Sequence, residues 1–354
     1  MMTSRQRVQA LLNGKLPDRP PLYDVIRNDA IIEHFGKAGL DPETAAQTTI
    51  DAHSAALDAT KGFYRLPEFE PGRTEINAEG CRVVYQRWTS WTEHEVYASA
   101  SEYVEAKTKN LPERRDWNEI DETLAVSSNN KWLELERKSG DLTRDYGLAG
   151  PPRLDEMFSA VGLEAFSYYM ADCPDAIRRQ VEFRFEKLLR ALEHVSVPQS
   201  APVISEACDM AFKTGLIFPP SFLREVFIPG YAKISAKAHE LGKKMLFHSD
   251  GNLSEILDDL VDAGIDLLHP VEPLAGMDPG EIHRRYPHLI LCGTIDVSQL
   301  LPYGTPDQIS DQVTRNIEET EGNIMIGSST EINNEVPLRN YLALHETVLN
   351  YSYT

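Results

Sequence analysis

The strongest constraint on the fold is an alternation of short apolar stretches with amphipathic helical patterns in the C-terminal half of the chain. A buried strand is predicted at Lys244–Phe247. After it, apolar residues recur at the i, i+3, i+4, i+7 and i+8 spacing of one helix face, namely Leu253, Ile256, Leu257, Leu260 and Val261. The next strand is predicted at Ile265–Pro270. Such alternation is typical of a parallel α/β sheet.

The alternation continues to the C-terminus and, with interruptions, extends upstream. Further strands are predicted at Pro20–Asp24, Arg144–Leu148, Pro202–Ser205, Leu289–Cys292 and Asn323–Ile326. Helices are predicted at Asp175–Val197, Pro219–Leu241, Pro279–Tyr286 and Pro337–Tyr351, and another opens at Thr305-Pro306. About eight such units in the 354 residues predict a (β/α)8 TIM barrel that occupies residues 1–354 as a single domain. A doubly wound parallel sheet is the alternative.

One segment departs from this pattern. Residues 82–97 alternate β-branched and aromatic side chains around Thr89-Ser90, which predicts a β-hairpin. We predict that residues 75–133 form an elaboration on the barrel rather than a separate domain. Its aromatic residues are expected either to pack in a core or to wall a substrate site, and they are Tyr85, Trp88 and Trp91.

The charge balance excludes two classes of partner. The chain carries 55 acidic and 35 basic residues, a formal net charge of -20, which is the wrong sign for binding nucleic acid or an anionic membrane surface. The sequence contains no run of roughly 18 apolar residues, which is the length needed to span a bilayer. The four cysteines are scattered without a C-x-x-C pair, which favours a reducing compartment. We therefore expect a soluble, cytoplasmic protein.

Polar residues follow several of the predicted strands, at the end of a barrel where active sites lie. They are Asp24, Glu206, His248, Asp250, Glu272, Asp296, Ser328 and Ser329. Carboxylates gathered at one mouth repel each other unless a cation or a bound proton relieves them. A His-x-Asp pair with a downstream Glu is also a plausible first shell for Zn2+. We therefore expect His248, Asp250, Asp24 and Asp296 to be catalytic.

Each of these residues also has a structural interpretation. His248 can be held by a neighbouring carbonyl, Asp250 can belong to a turn before Gly251, and Asp296 can cap a loop. Glu272 is harder to explain in this way, because an acid at an apolar strand end needs a partner. His269 is expected to pack at the same edge.

Four segments resemble the uroporphyrinogen decarboxylase superfamily, in its branch of corrinoid-dependent, O-demethylase-type methyltransferases. They are TSRQRVQALLNGKLPDRPPLYD at 3–24, MLFHSDGN at 245–252, GTIDVSQLLPYGTPDQISDQV at 293–313 and SSTEINNEVPLRNYLAL at 328–344. The resemblance covers essentially the whole chain, and it implies a (β/α)8 barrel.

The resemblance also implies a metal site. Methyltransferases of this branch bind Zn2+ through one His and two Cys. Here His248 matches the His, Asp250 stands at the first Cys, and Ser328 or Ser329 stands at the second. The remaining donors are nitrogen and oxygen atoms, which still bind Zn2+. The predicted metal ligands are His248, Asp250, Glu206 and Glu272.

Decarboxylases of the superfamily hold the propionates of a porphyrinogen with an Arg-rich N-terminal motif. The matching segment at 20–36 has one Arg, Arg27, and three acids, which is a poor surface for a polyanion. The resemblance to the methyltransferase branch therefore implies transfer of a methyl group from a methoxylated, aromatic substrate to the Co(I) of a partner corrinoid protein. The predicted substrate-binding residues are Tyr23, Arg27, Asn28, Tyr146, Ser328 and Ser329.

Two other functions and one assembly question stay open. The first alternative is a lyase or decarboxylase acting on a small acid, with Asp24 or Asp296 as the general acid and no metal. The second is a non-catalytic barrel that binds a corrinoid or another ligand. The chain can act as a monomer or as a homodimer.

Overall fold

Eight short parallel strands form a closed ring. The computed structural model describes residues 1–61, 65–108, 119–147 and 154–353. In chain order the strands of the ring are residues 22–23, Ala59–Thr60, Thr143–Arg144 continued by Tyr146–Gly147, Val203–Ala207, Lys244–His248, Leu267–His269, Ile290–Cys292 and Ile324–Met325. Each strand pairs in parallel with the next.

The first and last strands close the ring. Leu22 bridges to Ile326 and Tyr23 bridges to Ala59, both in parallel. This closure confirms the predicted TIM barrel and excludes the doubly wound sheet, which would leave two open edges. The strand at Ala59–Thr60 was not predicted, and the last residue of the predicted Arg144–Leu148 strand lies outside the described residues.

The barrel interior is a packed apolar column. Seven of the eight strands contribute at least one inward side chain to it, because residues along a strand alternate between two faces. The inward residues are Tyr23, Ala59, Val203, Leu246, Leu267, Ile290, Cys292 and Met325. The helix Ser4–Leu12 packs Val8, Leu11 and Leu12 against this column and closes the N-terminal end of the barrel.

Buried ion pairs anchor that end. Arg7 and Arg19 each place a guanidinium nitrogen 2.6 Å from a carboxylate oxygen of Asp58, which also accepts a hydrogen bond from the backbone N–H of Leu22. Asp58 therefore ties the N-terminal helix to the start of the first two strands. The opposite end, where the strands finish, is left for the functional site.

Helices form the outer layer of the barrel. Their boundaries are Asp29–Gly36, Ala45–Ala56, Leu154–Val161, Leu163–Asp172, Pro174–His194, Pro220–Val226, Ile228–Glu240, Leu257–Asp262, Pro279–Arg285, Leu300–Tyr303, Pro306–Glu319 and Leu338–Asn350, with a 3-10 turn at Pro273–Ala275. Within the described residues, no helix combines the length and the apolar composition needed to cross a membrane.

The predicted elaboration lies between the second and third barrel strands. It contains the antiparallel strands Thr74–Ile76, Arg82–Tyr85 and Ser90–Thr92 and the helices Ala100–Thr108 and Glu119–Lys138. The predicted hairpin is present, with Tyr85 paired to Ser90. Of the three aromatic residues, Trp88 packs in the core and its indole N–H donates to Asp29, whereas Trp91 is exposed.

Candidate active site

Three ligand-type side chains converge at the C-terminal mouth of the barrel. They are Asp209, His248 and Asp250, and one donor atom from each lies within 4.8 Å of the others. Nε2 of His248 is 3.7 Å from an oxygen of Asp209 and 3.7 Å from an oxygen of Asp250. We call these three residues the triad.

Two neighbouring strand ends position the triad. His248 is the last residue of Lys244–His248, and the strand Val203–Ala207 beside it leads into Asp209. The backbone N–H of Asp250 donates to a carboxylate oxygen of Asp209 at 3.0 Å. The backbone N–H of Gly251 donates to Glu272 at 2.5 Å. These bonds fix the turn after His248 and hold Asp209 and Asp250 on the same side of the imidazole.

Burial and mutual repulsion disfavour the charged forms of the carboxylates at this mouth. Burial and, to a lesser extent, the nearby charges of Asp209 and Glu272 raise the pKa of Asp250 to about 7, although Lys61 acts to lower it. Burial also raises the pKa of Glu272. One buried oxygen of Asp250 has no hydrogen-bond partner among the described residues. A cation or a proton between these groups would relieve the repulsion.

The donor set of the triad is suited to a divalent cation. One imidazole nitrogen and two carboxylate oxygens are ligands that Zn2+ accepts, and three protein ligands leave a coordination position open for catalysis. Glu272 supports the triad through its hydrogen bond with the backbone N–H of Gly251 and through its negative charge. It lies outside the group of donors within 4.8 Å of one another, so the structure does not support the prediction of Glu272 as a metal ligand.

A second histidine lies against His248. Nδ1 of His248 is 2.7 Å from Nδ1 of His269, and the two rings stack with centroids 4.9 Å apart. His269 is fully buried. Burial, with added repulsion from Lys61 and His248, lowers the pKa of His269 well below its usual value. The sequence predicted packing for this residue, but it makes a direct polar contact with the triad.

Lys61 brings a positive charge to the acidic mouth. It follows the strand Ala59–Thr60, and its ammonium group donates to the backbone carbonyl of Thr330 at 3.2 Å. Burial lowers the pKa of Lys61, and the acids whose charges oppose this effect are Glu331, Asp250 and Asp24. The sequence did not predict Lys61 as a site residue, because the two-residue strand before it has no apolar run that would reveal a strand end.

Asp24 and Ser328 join the first and last strands. The Asp24 carboxylate accepts hydrogen bonds from the backbone N–H and the hydroxyl of Ser328, at 2.7 and 2.9 Å, and from the backbone N–H of Val25. Burial nevertheless raises its pKa to about 7. Asp24 thus combines a structural role with a carboxyl that can hold a proton near neutral pH.

Asp145 and Tyr23 lie deeper in the barrel. The Tyr23 hydroxyl donates to Asp145 at 2.6 Å, and the Tyr23 ring meets the edge of His269. Burial raises the pKa of Asp145 to about 7, while Tyr23 and Lys61 act to lower it. Tyr23 is only 1% exposed, so the structure does not support its prediction as a direct substrate contact, and its side chain contacts His269 and Asp145 instead.

Three predicted site residues have structural roles instead. Asp296 accepts four hydrogen bonds from the loop that follows it, and these hold its pKa below the usual range although burial acts to raise it. The prediction of Asp296 as a general acid is therefore not supported. Ser329 accepts a hydrogen bond from Val297, and Asn28 caps the helix Asp29–Gly36. With its amide also bonded to two carbonyls, Asn28 has no donor left for a substrate.

Two other predicted site residues point away from the mouth. Glu206 is paired in register with Phe247, and both face the helical layer. Burial raises the pKa of Tyr231 in that layer, and the charge of Glu206 adds to the effect. Tyr146 also faces outward and donates to Asn129 at 2.5 Å. The predictions of Glu206 as a metal ligand and Tyr146 as a substrate contact are corrected on this ground.

Arg27 lies near the mouth, where its guanidinium forms an ion pair with Glu331. Its guanidinium lies 2.5 Å from a carboxylate oxygen of Glu331. Burial lowers the pKa of Arg27, and the nearby charge of Arg65 lowers it further. A substrate anion would have to compete with Glu331 for this group.

Asp209 is the member of the triad that the sequence did not predict. The alternation of side chains along a strand gives the signal that could have found it. Val203 points inward and Glu206 therefore points outward, so the first acid at the mouth after this strand is Asp209.

Comparisons with known proteins agree with the fold. A family model described as "Uroporphyrinogen decarboxylase (URO-D)" matches residues 159–351. Among solved structures, a methyltransferase from Methanosarcina mazei matches with a TM-score of 0.66 and 17% sequence identity, over 98% of this chain and 98% of that chain. The search of curated proteins gave no match. At this identity the structural likeness establishes the fold, and the function has to be argued from the site.

Proposed function

Because the chain belongs to the uroporphyrinogen decarboxylase (URO-D) family, we propose that it uses the barrel of that family for methyl transfer. The methyl group would move from a methoxylated, aromatic compound to the Co(I) of a corrinoid carried by a partner protein. The observation that carries this proposal is the triad, a nitrogen-and-oxygen donor set at the C-terminal mouth of the barrel. The structural likeness to a methyltransferase is consistent with it.

The residues of the triad would hold a divalent cation, with Zn2+ as the first choice. When bound, Zn2+ would supply Lewis acidity at the ether oxygen and so make the phenolate a better leaving group. Glu272 fixes the turn that carries Asp250 through the N–H of Gly251. The oxygen and nitrogen donors are harder than the thiolates that activate a coenzyme thiol, which favours an oxygen-containing substrate.

The transfer balances without a further reactant. The O–CH3 bond breaks and its electron pair stays on the aryl oxygen, while Co(I) donates the pair that forms the Co–CH3 bond. An in-line displacement needs the cobalt to approach the methyl carbon from the side opposite the oxygen. The barrel mouth must therefore admit both the substrate and the face of the partner's corrinoid.

The charge of the mouth argues against a tetrapyrrole substrate, despite the family name. Asp209, Asp250 and Glu272 lie together, and the repulsion among them contributes to the raised pKa of Asp250. A porphyrinogen with several propionates would add further negative charge there. Arg27 is paired with Glu331 and is not a ready propionate partner.

A metal-independent lyase is the second candidate. It is favoured by Asp24, whose pKa of about 7 suits a general acid at neutral pH. Its burial at 2% exposure and its bonds to Ser328 limit its access to a substrate. A non-catalytic binder would show neither reaction.

A single-turnover assay tests the proposal. Purified protein is mixed with cob(I)alamin and a panel of methoxylated arenes, with and without added Zn2+, and formation of methylcobalamin is followed by absorbance. We expect transfer by the wild type and a loss of at least about 100-fold in His248→Ala. His288→Ala is the matched control, because His288 is exposed at the opposite end of the barrel. Absence of transfer from every arene, with decarboxylation of a small acid instead, would favour the lyase.

A further inference from the structure

The contact between His248 and His269 is a hydrogen bond between ring nitrogens, so it constrains which nitrogen of each ring carries a hydrogen. Their Nδ1 atoms are 2.7 Å apart, a distance that two nitrogen lone pairs cannot share without a hydrogen between them. A neutral imidazole holds one hydrogen, on either Nδ1 or Nε2. The contact therefore links the protonation sites of the two rings.

Two arrangements satisfy the contact. In the first, His248 carries its hydrogen on Nδ1 and donates it to His269, so that Nε2 of His248 presents a lone pair. In the second, His269 donates and Nε2 of His248 carries the hydrogen. Only the first arrangement allows Nε2 to act as a metal ligand, because a protonated nitrogen has no free lone pair.

The surroundings of His269 keep its ring in place. It is fully buried, and the ring of Tyr23 contacts it with centroids 5.4 Å apart. The backbone of Gly293 packs closely against the ring, since a Cβ at Gly293 would lie 2.8 Å from Nε2 of His269. The ring therefore cannot turn or withdraw without displacing the end of a neighbouring strand.

We propose that His269 is a positioning residue that accepts the Nδ1 hydrogen of His248 and so directs the Nε2 lone pair of His248 between Asp209 and Asp250. This inference rests on the proposed function, because it assigns the lone pair to a cation at the triad. A metal-ligating histidine commonly donates its other N–H to a carboxylate or a carbonyl. A neutral imidazole does the same without adding another negative charge to a mouth that already holds Asp209, Asp250 and Glu272.

The orientation of Nε2 supports this assignment. Nε2 of His248 has carboxylate oxygens of both Asp209 and Asp250 at 3.7 Å. This is longer than the 2.7–2.9 Å of a charge-assisted N–H···O bond. Two oxygens at equal distance from one nitrogen enclose a gap, as a cation between three donors requires.

The first readout is the position of the hydrogen. Protein labelled with 15N in its histidines is studied by NMR without metal, and His248 is assigned by comparison with His248→Gln. We expect the His248 hydrogen on Nδ1 in the wild type and in His269→Asn, whose amide leaves a polar atom close to the position of Nδ1. A His248 hydrogen on Nε2 in the wild type would overturn the proposal, whatever the metal content.

The second readout is Zn2+ affinity, measured by calorimetry on folded, metal-free protein. We expect His269→Leu to weaken binding about 10- to 100-fold, and His269→Asn to restore most of that loss. His283→Leu is the matched control, because His283 is also buried but lies at the other end of the barrel. Wild-type affinity in His269→Leu would contradict the proposal. If the wild type itself binds no Zn2+, the proposed metal site fails, and the NMR result still decides the role of His269.

Discussion

At the scale of single residues, the charged carboxylate of Asp250 destabilises the folded protein, as its raised pKa shows. Its pKa of about 7 in the folded protein lies above the ordinary aspartate value of 3.8. Between those values the folded protein keeps a proton that the unfolded chain has lost, so the contribution of Asp250 to stability falls as pH rises from about 4 to 7. Asparagine does not titrate and removes this loss.

Asp250→Asn is therefore expected to stabilise the metal-free protein at pH 8. The Asp250 side chain is 41% exposed, and solvent screening reduces the effect to about 1 kcal/mol, or about 2 °C in Tm. The gain should shrink at pH 5, where the wild-type carboxyl is protonated. Thermal unfolding in a chelating buffer at both pH values measures it. A lower Tm for the variant at pH 8 would show that the carboxylate is stabilised rather than strained.

Lys61 is expected to matter most when the acids around it are charged. It lowers the pKa of Asp24, Asp145 and Asp250, so Lys61→Met should raise all three. The variant should lose about 2 kcal/mol at pH 8, and much less at pH 5.5, where the folded protein holds these carboxyls protonated. Urea unfolding at the two pH values gives the difference. The same loss at both would mean that the Lys61 stem, and not its charge, stabilises the mouth.

At the scale of elements, the turns after the strands determine the site. The strand Lys244–His248 was predictable from its apolar run, but the helix after it begins at Leu257 rather than near Leu253. Asn252 accepts from the backbone N–H of Ser254 and donates to the carbonyl of Ala275. These bonds hold residues 252–256 as a turn, and a hydrophobic pattern does not reveal such side-chain bonds.

The turn at Gly293 gives a test at this scale. Gly293 has a φ of +66°, and a Cβ there would lie 2.6 Å from the carbonyl oxygen of Ser328 as well as close to His269. Gly293→Ala should cost more than about 2 kcal/mol. Gly140→Ala is the matched control, with a similar φ of +62° and no atom within 4 Å of its Cβ, and should cost about 1 kcal/mol. Equal losses in urea unfolding would contradict close packing at Gly293.

At the scale of the whole molecule, the sequence predicted the barrel but only part of its mouth. Repeated strand and helix patterns depend on composition along the chain, so they revealed seven of the eight strands. The triad depends on which face each strand turns inward and on contacts between residues about 40 positions apart, as between Asp209 and Asp250. His248 and Asp250 were predicted as site residues, and Asp209, Lys61 and the pairing of His269 required the three-dimensional structure.

We propose that Asp209, His248 and Asp250 together hold a divalent cation, and the metal stoichiometry of the purified protein is the direct test. Wild-type protein and Asp209→Asn are purified without chelators, equilibrated with Zn2+, desalted and measured by elemental analysis. We expect about one Zn2+ per chain for the wild type and a large loss of Zn2+ for the variant, because Asp209 would supply one of three protein ligands. Wild-type protein that retains no stoichiometric metal, or an Asp209→Asn variant that retains as much Zn2+ as the wild type, would contradict the proposed metal site.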